Sequence, residues 1–479
     1  MDANDLYRYQ IQRIYDVCPE LIEPVINELF RNREYLNMIA SENYPSLACQ
    51  YACSLPCFNT KYAEGYPGHR YYGGCENIDK VESLANKYAC ELFRAEHAYS
   101  QPHSGADANL IAYNAILNRK VIEPYCQKNV DLLSQSGFDE LREYWHNNIL
   151  LSLDLSSGGH LTHGSRQNIS SKIFRIKHYS LGDDGRIDYN IVRDLARFYR
   201  PLILLAGYSA YTRNIDFSIM REIADEVGAV LMVDMAHFAG LVAGGVLTGP
   251  YNPIPYADIV TTTTHKTLRG PRGGLILCKN EWAPYIDKGC PGVIGGPLEN
   301  QIAAKAVAFK EALSEDFRKY AKQVVLNAQA LASKLKSLNV PLLTDGTDNH
   351  MVIIDVRKYG LTGLKAERLL KEVHITCNRN SIPDLSIKVN REEPWKTESR
   401  NDPNGAWKTS GIRLGTPALT TLGMKEGEME IIASVIASTL ESNLIDDENI
   451  KESRKQNNLE IIKNLLNQHK LYPSLLKEN

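Results

Sequence analysis

The stretch Ile259-Val-Thr-Thr-Thr-Thr-His-Lys-Thr-Leu-Arg-Gly-Pro-Arg-Gly-Gly274 decides the fold of this chain. Its first six residues are β-branched, and such residues favour an extended strand. Its last five residues contain three glycines and one proline, which favour turns and leave room for another group beside the backbone. The pattern predicts that Lys266 leaves the end of a buried strand and enters a glycine-lined space.

A lysine in that position is costly unless its amine has a use. Burying an unpaired ammonium group is unfavourable, so the pKa of such a lysine falls. A lowered pKa is what a lysine needs to form a Schiff base with a carbonyl group. The alternative is that Lys266 extends along the strand end until its amine is solvated, as most lysines do.

A second apolar run supplies the context for Lys266. It spans Ala229 to His237 and carries Asp234 and His237 near its end. Polar groups at the carboxyl ends of parallel strands lie where such sheets bind ligands. Pyridoxal phosphate requires a lysine imine and a carboxylate against its ring nitrogen, so Lys266 and Asp234 together favour this cofactor. Asp234 alone is equally consistent with a helix cap after a strand.

Length, charge and cysteine content restrict the class of protein. At 479 residues with 43% hydrophobic residues, the chain is long enough for two or more domains. A net charge of -3 gives no reason to expect a nucleic acid or an anionic membrane as partner. The polar amino terminus and the lack of a ~20-residue apolar run predict a soluble cytoplasmic protein. Ten scattered cysteines are typical of reduced thiols, and no histidine lies among Cys49, Cys53 and Cys57, so no metal site is expected.

Further strands place other polar groups at strand ends. The apolar run Ile149–Leu155 precedes His160, and Pro201–Tyr211 carries Ser209 near its end. Strands that alternate with helical stretches such as Met220–Val227 predict a doubly wound α/β domain. His160 can lie flat on a cofactor ring or be a capping or core histidine. Because every candidate group follows a strand, the pattern indicates one site.

Two loops complete the candidate site. Ser104 and Gly105 precede a helical pattern, and the free N–H groups and hydroxyl at such a helix start can hold a phosphate. A simple helix cap is the alternative. The loop Lys61–Gly74 contains four glycines, four tyrosines and Glu64, which favours a ligand-binding or subunit surface over idle coil.

Taken together, these segments resemble the serine hydroxymethyltransferase family, which is folate-dependent and has pyridoxal phosphate fold type I. The resemblance extends from residue 39 to about residue 417. The matching motifs are I-A-S-E-N-Y from Ile39, K-Y-A-E-G-Y-P-G-H-R-Y-Y-G-G from Lys61, Q-P-H-S-G from Gln101, G-G-H-L-T-H-G from Gly158, V-D-M-A-H from Val233, T-T-T-T-H-K-T-L-R-G-P-R-G-G from Thr261, G-G-P-L from Gly295, G-T-D-N-H from Gly346 and T-S-G-I-R from Thr409.

The resemblance implies an aspartate aminotransferase-like α/β fold. A large cofactor-binding domain over residues 46–312 would contain a mostly parallel seven-stranded sheet. A smaller α+β domain would follow over residues 313–445, with an N-terminal helical arm over residues 1–45 and a charged helical tail over residues 446–479. Residues 119–148 and 384–404 would be insertions relative to the family.

The resemblance also implies a reaction and a cofactor site. The chain would transfer the hydroxymethyl group of serine reversibly to tetrahydrofolate, giving glycine and 5,10-methylenetetrahydrofolate. Lys266 would bind pyridoxal phosphate as a Schiff base, Asp234 would pair with the pyridine nitrogen, and His160 would stack on the ring. Ser209 and His237 would meet the phenolic oxygen. The phosphate would be held by Ser104 and Gly105, with Tyr62, Gly295 and Gly296 from a second subunit, so a homodimer that pairs into a tetramer or stays a dimer is expected.

The remaining roles concern the substrates. Arg413 would clamp the amino-acid carboxylate with Ser41 and His237 nearby. Glu64 of the partner subunit would transfer protons at the hydroxymethyl group. Tyr72 and Thr263 would set the sequence of the proton and imine exchanges. His265 would be a further catalytic residue. The pteridine contacts expected from the family are Leu155, Gly159, Leu161 and Asn380.

The chain also departs from the family pattern. Ala106 replaces a phosphate-binding serine and Asp107 adds a carboxylate, so cofactor affinity is expected to be lower than usual. The insertion at 384–404 lies near the folate region, which makes folate selectivity the least secure expectation. One alternative function is a folate-independent aldolase acting on β-hydroxy amino acids. A non-catalytic binding homologue is the other, and it gives no reason to retain Lys266, Asp234 and Arg413 together.

Overall fold

The computed structural model of the chain describes residues 3–127 and 134–475. Residues 128–133 of the predicted insertion, and the outermost residues of the predicted arm and tail, lie outside the described residues. The chain forms two compact units. The larger unit comprises Asn43–Lys322 and Ser381–Pro403, and the smaller unit comprises Met1–Glu42, Gln323–Asn380 and Asn404–Asn479.

Helices and strands alternate along most of the described chain. The helices are α1 (Ala3–Tyr15), α2 (Ile22–Glu34), α3 (Leu47–Cys53), α4 (Glu76–Phe93), α5 (Gly105–Leu117), α6 (Glu123–Cys126), α7 (Gln135–His146), α8 (Ser170–Ile173), α9 (Tyr189–Tyr199), α10 (Phe217–Val227), α11 (Ala239–Ala243), α12 (Ala283–Ile286), α13 (Gly289–Gly292), α14 (Glu299–Ala312), α15 (Glu315–Ser337), α16 (Gly363–Glu372), α17 (Gly405–Lys408), α18 (Pro417–Thr421), α19 (Glu426–Glu441) and α20 (Glu448–Gln468). The strands are β1 (Leu36–Asn37), β2 (Gly65–Tyr66), β3 (His69–Arg70), β4 (His97–Tyr99), β5 (Ile149–Leu153), β6 (Arg175–Tyr179), β7 (Ile203–Gly207), β8 (Val230–Asp234), β9 (Ile259–Thr263), β10 (Gly274–Cys278), β11 (Met351–Asp355), β12 (Ile375–Thr376), β13 (Asn378–Asn380) and β14 (Gly411–Gly415).

The larger unit is built on a seven-stranded sheet in the order β4-β10-β9-β8-β7-β5-β6. Strands β6, β5, β7, β8 and β9 run parallel to their neighbours, and β10 is antiparallel to both β4 and β9. Every residue of β7, β8 and β9 is buried, as expected for central strands covered by helices on both faces. The predicted mostly parallel seven-stranded sheet is therefore confirmed.

Helix boundaries in this unit follow local sequence signals. Asp188 and Asp216 accept hydrogen bonds from the first backbone N–H groups of α9 and α10, and Gly228 ends α10 with a positive φ. The apolar face of α5 packs onto the sheet in a core that includes Ile111, Ile116, Leu205 and Met232. These caps and contacts fix the loops that leave the carboxyl ends of the strands.

The smaller unit has an α+β architecture of its own. Its three-stranded antiparallel sheet has the order β11-β14-β13, and β1 pairs in parallel with β12. Helices α15, α16, α19 and α20 contribute to its core, which includes Leu331, Leu370, Ile436 and Ile462. The predicted arm contains two helices, α1 and α2, and Pro24 lies in the first turn of α2 as its pattern predicts.

The predicted domain limits remain a prediction, although the compact units divide the chain differently. The arm groups with the smaller unit, while the segment 381–403 groups with the larger one. Within residues 3–127 and 134–475, no helix is long and apolar enough to cross a bilayer. All ten cysteines are present as free thiols.

Candidate functional site

The groups that the sequence places at strand ends leave the same edge of the sheet. Strands β5, β7, β8 and β9 are parallel, so their carboxyl ends lie side by side. Asp234, the last residue of β8, lies in register with Gly207 of β7 and Thr261 of β9. Lys266 follows β9 within one short bend. The structure therefore brings the predicted carboxylate and the predicted lysine to one edge.

Asp234 is buried and is held by three hydrogen bonds. Its Oδ2 atom accepts from Asn109 Nδ2 at 2.9 Å and from His163 Nε2 at 3.0 Å, and its Oδ1 atom accepts from the backbone N–H of Ala236 at 3.0 Å. Burial alone would raise the pKa of Asp234. The hydrogen bond from His163 and the charges of His163, His160 and Lys266 outweigh burial and hold the pKa well below that of an ordinary aspartate. Asp234 is thus kept ionised although it is almost entirely buried.

Asn109 and His163 were not assigned a role from the sequence. His163 lies in the motif G-G-H-L-T-H-G, and Asn109 follows the motif Q-P-H-S-G by four residues, so nearness to these motifs was the available signal. Asn109 is buried, accepts from Thr261 Oγ1 at 2.6 Å and also donates to Thr162 Oγ1 at 2.8 Å. The backbone N–H of His160 donates to His163 Nδ1, so the proton of His163 lies on Nε2, facing Asp234.

The turn 154–163 carries the predicted ring-stacking histidine. Its inner part is held by Tyr113, whose hydroxyl donates to Thr162 O at 2.8 Å, and by Ser152, whose Oγ donates to His163 O at 2.6 Å. The Nδ1 atom of His160 lies 2.7 Å from Thr162 Oγ1, and ligand atoms of His160, His163 and Asp234 lie within 4.8 Å of one another. The same spacing suits a metal ion, while the hydrogen bond between His163 and Asp234 occupies one ligand atom of each.

Lys266 and its neighbours form the second side of the site. Lys266 is buried, and its carbonyl oxygen accepts a hydrogen bond from Asn43 Nδ2 at 3.0 Å. Thr263 is buried and donates from Oγ1 to Ala236 O at 3.3 Å. Burial and the nearby charges of Lys266, Arg272 and Lys305 lower the pKa of His265 to about 3, so its ring is neutral near pH 7. The Nδ1 atom of His265 is buried without a hydrogen-bond partner among the described residues.

Ser104 and Gly105 begin helix α5, as predicted. Ser104 caps the helix by accepting from the backbone N–H of Asp107 at 3.2 Å. A Cβ atom on Gly105 would lie 2.7 Å from Thr263 Cγ2, so only glycine allows the helix start to approach β9 this closely. The amine of Lys305, buried below this loop, donates to Ser100 O at 2.6 Å and Pro102 O at 2.9 Å. Burial lowers the pKa of Lys305 to about 7, so this amine is only partly charged near pH 7, and it is the start of α5 that favours an anion at this point.

The groups predicted for the phenolic oxygen also lie at this edge. Ser209 follows β7, and its backbone N–H donates to Gly158 O at 2.7 Å, which joins it to the turn of His160. His237 is buried after β8, and its carbonyl oxygen accepts from Thr267 Oγ1 at 2.8 Å, next to Lys266. Both residues are therefore tied to the segments that carry His160 and Lys266.

The predicted contributions from a second subunit form an exposed cluster. The Tyr62 hydroxyl donates to Glu64 Oε1 at 2.9 Å, and the rings of Tyr62 and Tyr72 meet edge to face at 4.9 Å. A Cβ atom on Gly296 would lie 2.6 Å from Tyr62 Cε2, and Gly295 is its neighbour. Tyr62 and Tyr72 are 48% and 44% exposed, so almost half of each ring is available to another molecule.

Three of the predicted folate contacts share the turn 154–163. Leu155 and Leu161 are 45% and 51% exposed, and together they give the turn an apolar surface. A Cβ atom on Gly159 would lie 2.2 Å from Leu153 O, so the turn closes only with glycine at that position. The structure thus groups these three residues beside His160.

The other predicted substrate residues belong to the smaller unit. Arg413 lies on β14, is buried, and donates from Nε to Asn378 Oδ1 at 3.1 Å. Burial lowers the pKa of Arg413 to about 10, so its guanidinium remains charged near pH 7. Asn380 pairs with Gly411 of the same sheet, and Ser41 follows Ala40, which packs against Gly415. Ser41, Asn380 and Arg413 therefore border one sheet of this unit.

Comparison with known proteins identifies relatives over nearly the whole chain. The serine hydroxymethyltransferase of Treponema pallidum (strain Nichols) is 53% identical over 88% of this chain and 71% of its own length. That of Cutibacterium acnes is 50% identical over 91% of this chain and 86% of its own length. That of Chlamydia pneumoniae is 46% identical over 99% of this chain and 95% of its own length, so its alignment extends through the C-terminal tail.

A family model gives the same result at the level of segments. The model described as serine hydroxymethyltransferase matches residues 14–122 and 143–436. The interval between the two matched ranges lies inside the stretch 119–148, which the sequence predicts to be an insertion. With these matches and with the seven-stranded sheet described above, the chain belongs to the serine hydroxymethyltransferase family and has pyridoxal phosphate fold type I.

Proposed function

We propose that this chain transfers the hydroxymethyl group of serine reversibly to tetrahydrofolate, giving glycine and 5,10-methylenetetrahydrofolate. The observation that carries the proposal is the buried, ionised Asp234 at the same strand edge as the buried Lys266. A scaffold without chemistry has no physical reason to keep a carboxylate charged away from water. Membership of the family supplies the substrates.

The residues at the site fit pyridoxal phosphate. Asp234 offers a carboxylate suited to a protonated ring nitrogen at the end of β8, and Lys266 offers an amine just beyond the end of the neighbouring strand β9. The start of α5 at Ser104 and Gly105 offers backbone N–H groups to the phosphate, and the Lys305 amine is bonded to the loop before this helix. The unsatisfied buried nitrogen atoms of His103 and His265 leave donor capacity for a further group.

When bound, pyridoxal phosphate supplies a protonated ring that accepts electrons from the α-carbon of the amino acid. Asp234 would hold the proton on the ring nitrogen, because Asn109 and His163 keep its carboxylate charged. His160 would cover one face of the ring, and its orientation is fixed by Thr162. Ser209 and His237 would meet the phenolic oxygen, and Thr263 together with the neutral His265 would border the lysine during exchange of amines.

Arg413 would bind the carboxylate of the amino acid. Its guanidinium is charged, buried and held at Nε by Asn378, so its orientation is set before the substrate arrives. Asn380 on β13 and Ser41, in the turn after β1, would contact the pteridine and the amino acid. Fixing the carboxylate decides which bond at the α-carbon stands perpendicular to the ring, and that bond is the one broken.

Proton transfer at the hydroxymethyl group would fall to Glu64. Its carboxylate accepts from the Tyr62 hydroxyl, which raises the pKa of Tyr62 and keeps that hydroxyl protonated. Tyr72 borders the same cluster. Because this cluster is exposed, we assign it to the site of a second subunit and propose a homodimer as the smallest active unit. The ten free thiols suit a reducing compartment such as the cytoplasm.

A direct assay tests the function. Purified chain with pyridoxal phosphate is mixed with serine, with and without tetrahydrofolate, and separately with allo-threonine. We expect glycine from serine only when tetrahydrofolate is present. Cleavage of allo-threonine without any folate-dependent turnover of serine would identify a folate-independent aldolase, and no turnover of either would contradict both functions.

Complementation tests the shared site. Lys266→Ala and Glu64→Gln should each be inactive for serine and tetrahydrofolate. After the two variants are unfolded and refolded together, about a quarter of wild-type activity should return, because one site in each mixed dimer is intact and half of the dimers are mixed. A mixture of Lys266→Ala and Asp234→Asn is the matched control, and it should stay inactive, because each site of a mixed dimer still carries one of the two lesions. Recovery in neither mixture would contradict a Glu64 contribution in trans.

A further inference from the structure

The segment 381–403 is attached to the larger unit through one buried arginine. Arg400 Nη1 donates to Leu181 O at 2.6 Å, Nη2 lies 3.1 Å from Asp183 Oδ1, and Nε donates to Asp384 O at 3.3 Å. The side chain of Arg400 is only 2% exposed. A charged group at this depth needs its full set of acceptors, so the segment and the loop after β6 are fixed to each other.

Other contacts of the segment are closer to the surface. The backbone N–H of Val389 donates to Asp183 Oδ1 at 3.2 Å. The ring of Trp395 stacks on the ring of Phe198 of α9, with the two rings nearly parallel and their centroids 4.0 Å apart. Arg391 lies 3.1 Å from Asp188 Oδ2, but its side chain is 64% exposed. Exposed ion pairs contribute little, so Arg400 is the principal polar attachment.

The loop held by Arg400 is itself bonded to the turn 154–163. The carbonyl of Leu181 accepts from Arg400, while its backbone N–H donates to Ser157 Oγ at 3.2 Å. The Ser157 hydroxyl donates in turn to Asp154 Oδ2 at 2.5 Å, and the Ser157 backbone N–H donates to Asp154 Oδ1 at 2.9 Å. One continuous line of hydrogen bonds thus runs from Arg400 to the residue that begins the turn.

The turn has two parts with different support. The inner part, around His160 and His163, is held by Asp234, Tyr113 and Ser152 and does not need Arg400. The outer part, around Leu155 and Ser157, depends on the Asp154–Ser157–Leu181 bonds together with the bonds to Gly158 O. The exposed side chain of Leu155 gives the outer part an apolar surface, and Leu161, next to His160 in the inner part, is also exposed.

We propose that Arg400 and Asp183 are positioning residues that fix the outer part of the turn 154–163 and thereby set its affinity for the folate co-substrate. The proposal rests on the proposed function, because it takes tetrahydrofolate as the ligand of that turn. It assigns to the segment 381–403 a role in selecting one substrate. The cofactor-binding part of the site has separate support and is unaffected.

The test compares Arg400→Gln with Arg391→Gln. Both remove one positive charge from the same segment, but only Arg400 contacts Leu181. For Arg400→Gln we expect the KM for tetrahydrofolate to rise by between about twofold and thirtyfold, the range typical of coupling through such contacts. The KM for serine, cofactor binding and folate-independent cleavage of allo-threonine should match the wild type. Arg391→Gln should match the wild type in every measurement.

A second variant keeps the proposal testable if Arg400→Gln fails to fold. Ser157→Ala removes only the hydroxyl that joins Leu181 to Asp154, and we expect it to raise the KM for tetrahydrofolate in the same direction. The double variant should show less than the summed effect, because both changes interrupt one line of contacts. An unchanged KM in Ser157→Ala, or equal effects of Arg400→Gln and Arg391→Gln, would overturn the proposal.

Hydrogen exchange separates failure of this proposal from failure of the proposed function. Faster exchange over residues 154–158 and 181 in Arg400→Gln, relative to Arg391→Gln, is expected whether or not the chain turns over serine. If the wild type lacks folate-dependent activity but exchange is faster in Arg400→Gln, Arg400 does fix the turn and the proposed function is wrong. If the wild type is active and Arg400→Gln changes neither exchange nor the KM for tetrahydrofolate, Arg400 does not fix the turn and the proposed function stands.

Discussion

Two buried carboxyl groups in the larger unit are held in opposite ways. Asp234 accepts three hydrogen bonds, and its pKa is held far below the ordinary value. Glu299, the first residue of α14, is 1% exposed, and neither of its oxygen atoms has a hydrogen-bond partner among the described residues. Burial and the neighbouring charge of Glu82 raise the pKa of Glu299 to about 8. Both groups are buried, so depth alone does not decide their charge.

The difference lies in what surrounds each group. Around Asp234 the donors Asn109 and His163 point at the carboxylate and favour its charged form. Near Glu299, the cations Arg70 and Lys305 are already bonded elsewhere, Arg70 to Glu82 and Asp79 and Lys305 to backbone carbonyl groups. Hydrogen-bond donors thus contact the carboxylate of Asp234, which the proposed reaction uses. Without such donors, Glu299 is neutral near pH 7. The following predictions test this contrast.

The largest effect is expected for Asp234→Asn. The amide keeps the shape but removes the charge that would hold the ring proton, so kcat should fall by about a hundredfold to a thousandfold, as when a preorganised electrostatic group is removed. The measurement is serine turnover with tetrahydrofolate at saturating pyridoxal phosphate. Glu299→Gln is the matched control, because it makes the same carboxyl-to-amide change at a buried site and should retain activity. Equal losses of kcat in both variants would show that Asp234 and Glu299 do not differ in their importance for turnover.

Glu299→Gln should instead change the dependence of stability on pH. Glu299 binds its proton more tightly in the folded chain than in the unfolded chain, so the wild type loses stability as pH rises from about 4.5 to about 8. The variant lacks this term, and its stability should fall by roughly 2–5 kcal/mol less over that interval. Urea unfolding of both proteins at the two pH values measures the difference. Parallel pH profiles would show that Glu299 ionises normally and finds a partner.

His163→Gln should have a smaller effect on activity than Asp234→Asn. It weakens one of the bonds that keep Asp234 charged, and a hydrogen bond to a charged group is worth about 1.5–3 kcal/mol, or roughly a tenfold to hundredfold loss of kcat. Because the pKa of Asp234 is lowered in the folded state, the stability lost in this variant is present at neutral pH and disappears in acid as the carboxylate is protonated. Activity and urea unfolding at neutral and acidic pH measure both effects. A loss of stability that persists unchanged in acid would show that His163 acts through packing.

The smallest effect is expected at an exposed carboxylate. Asp225 lies 2.6 Å from Arg221, but its side chain is 68% exposed. Asp225→Asn should change the free energy of unfolding by less than about 1 kcal/mol and leave turnover unaltered, because exposed ion pairs are screened by water and salt. The same urea and activity measurements apply. A large loss here would mean that removal of any carboxylate damages the protein, which would weaken the interpretation of Asp234.

Much of the fold follows from local patterns in the sequence. The runs that end in Leu155 and Thr264 are the strands β5 and β9 within two residues, and the run Ala229–His237 contains β8, which ends three residues earlier at Asp234. Ser104 and Gly105 begin a helix as their pattern predicts. The β-branched run of β9 and the apolar run of β8 predict two buried strands, and Asp234 and Lys266 lie where these strands end. The roles of the individual site residues, including Lys266, Asp234, His160, Glu64 and Arg413, stay predictions.

The residues that the sequence did not reveal act across long separations. Asn109 is 125 positions from Asp234, and His163 is 71 positions from it. No periodicity links such positions, since the hydrogen bond depends on the geometry of β8, α5 and the turn 154–163 together. Glu299 was missed for the converse reason, because a carboxyl at a helix start is ordinarily a solvated group that stabilises the helix.

The sequence by itself determined where strands end and which side chains leave them, because strand formation and turns depend on neighbouring residues. It also determined the family, through motifs distributed from Ile39 to Thr409. Only the tertiary structure decided which carboxyl group is charged, which is neutral, and that Arg400 is fixed to Leu181, 219 positions away. Charge and anchoring depend on the donors, acceptors and water that surround a group in space, and these are set only when the chain has folded.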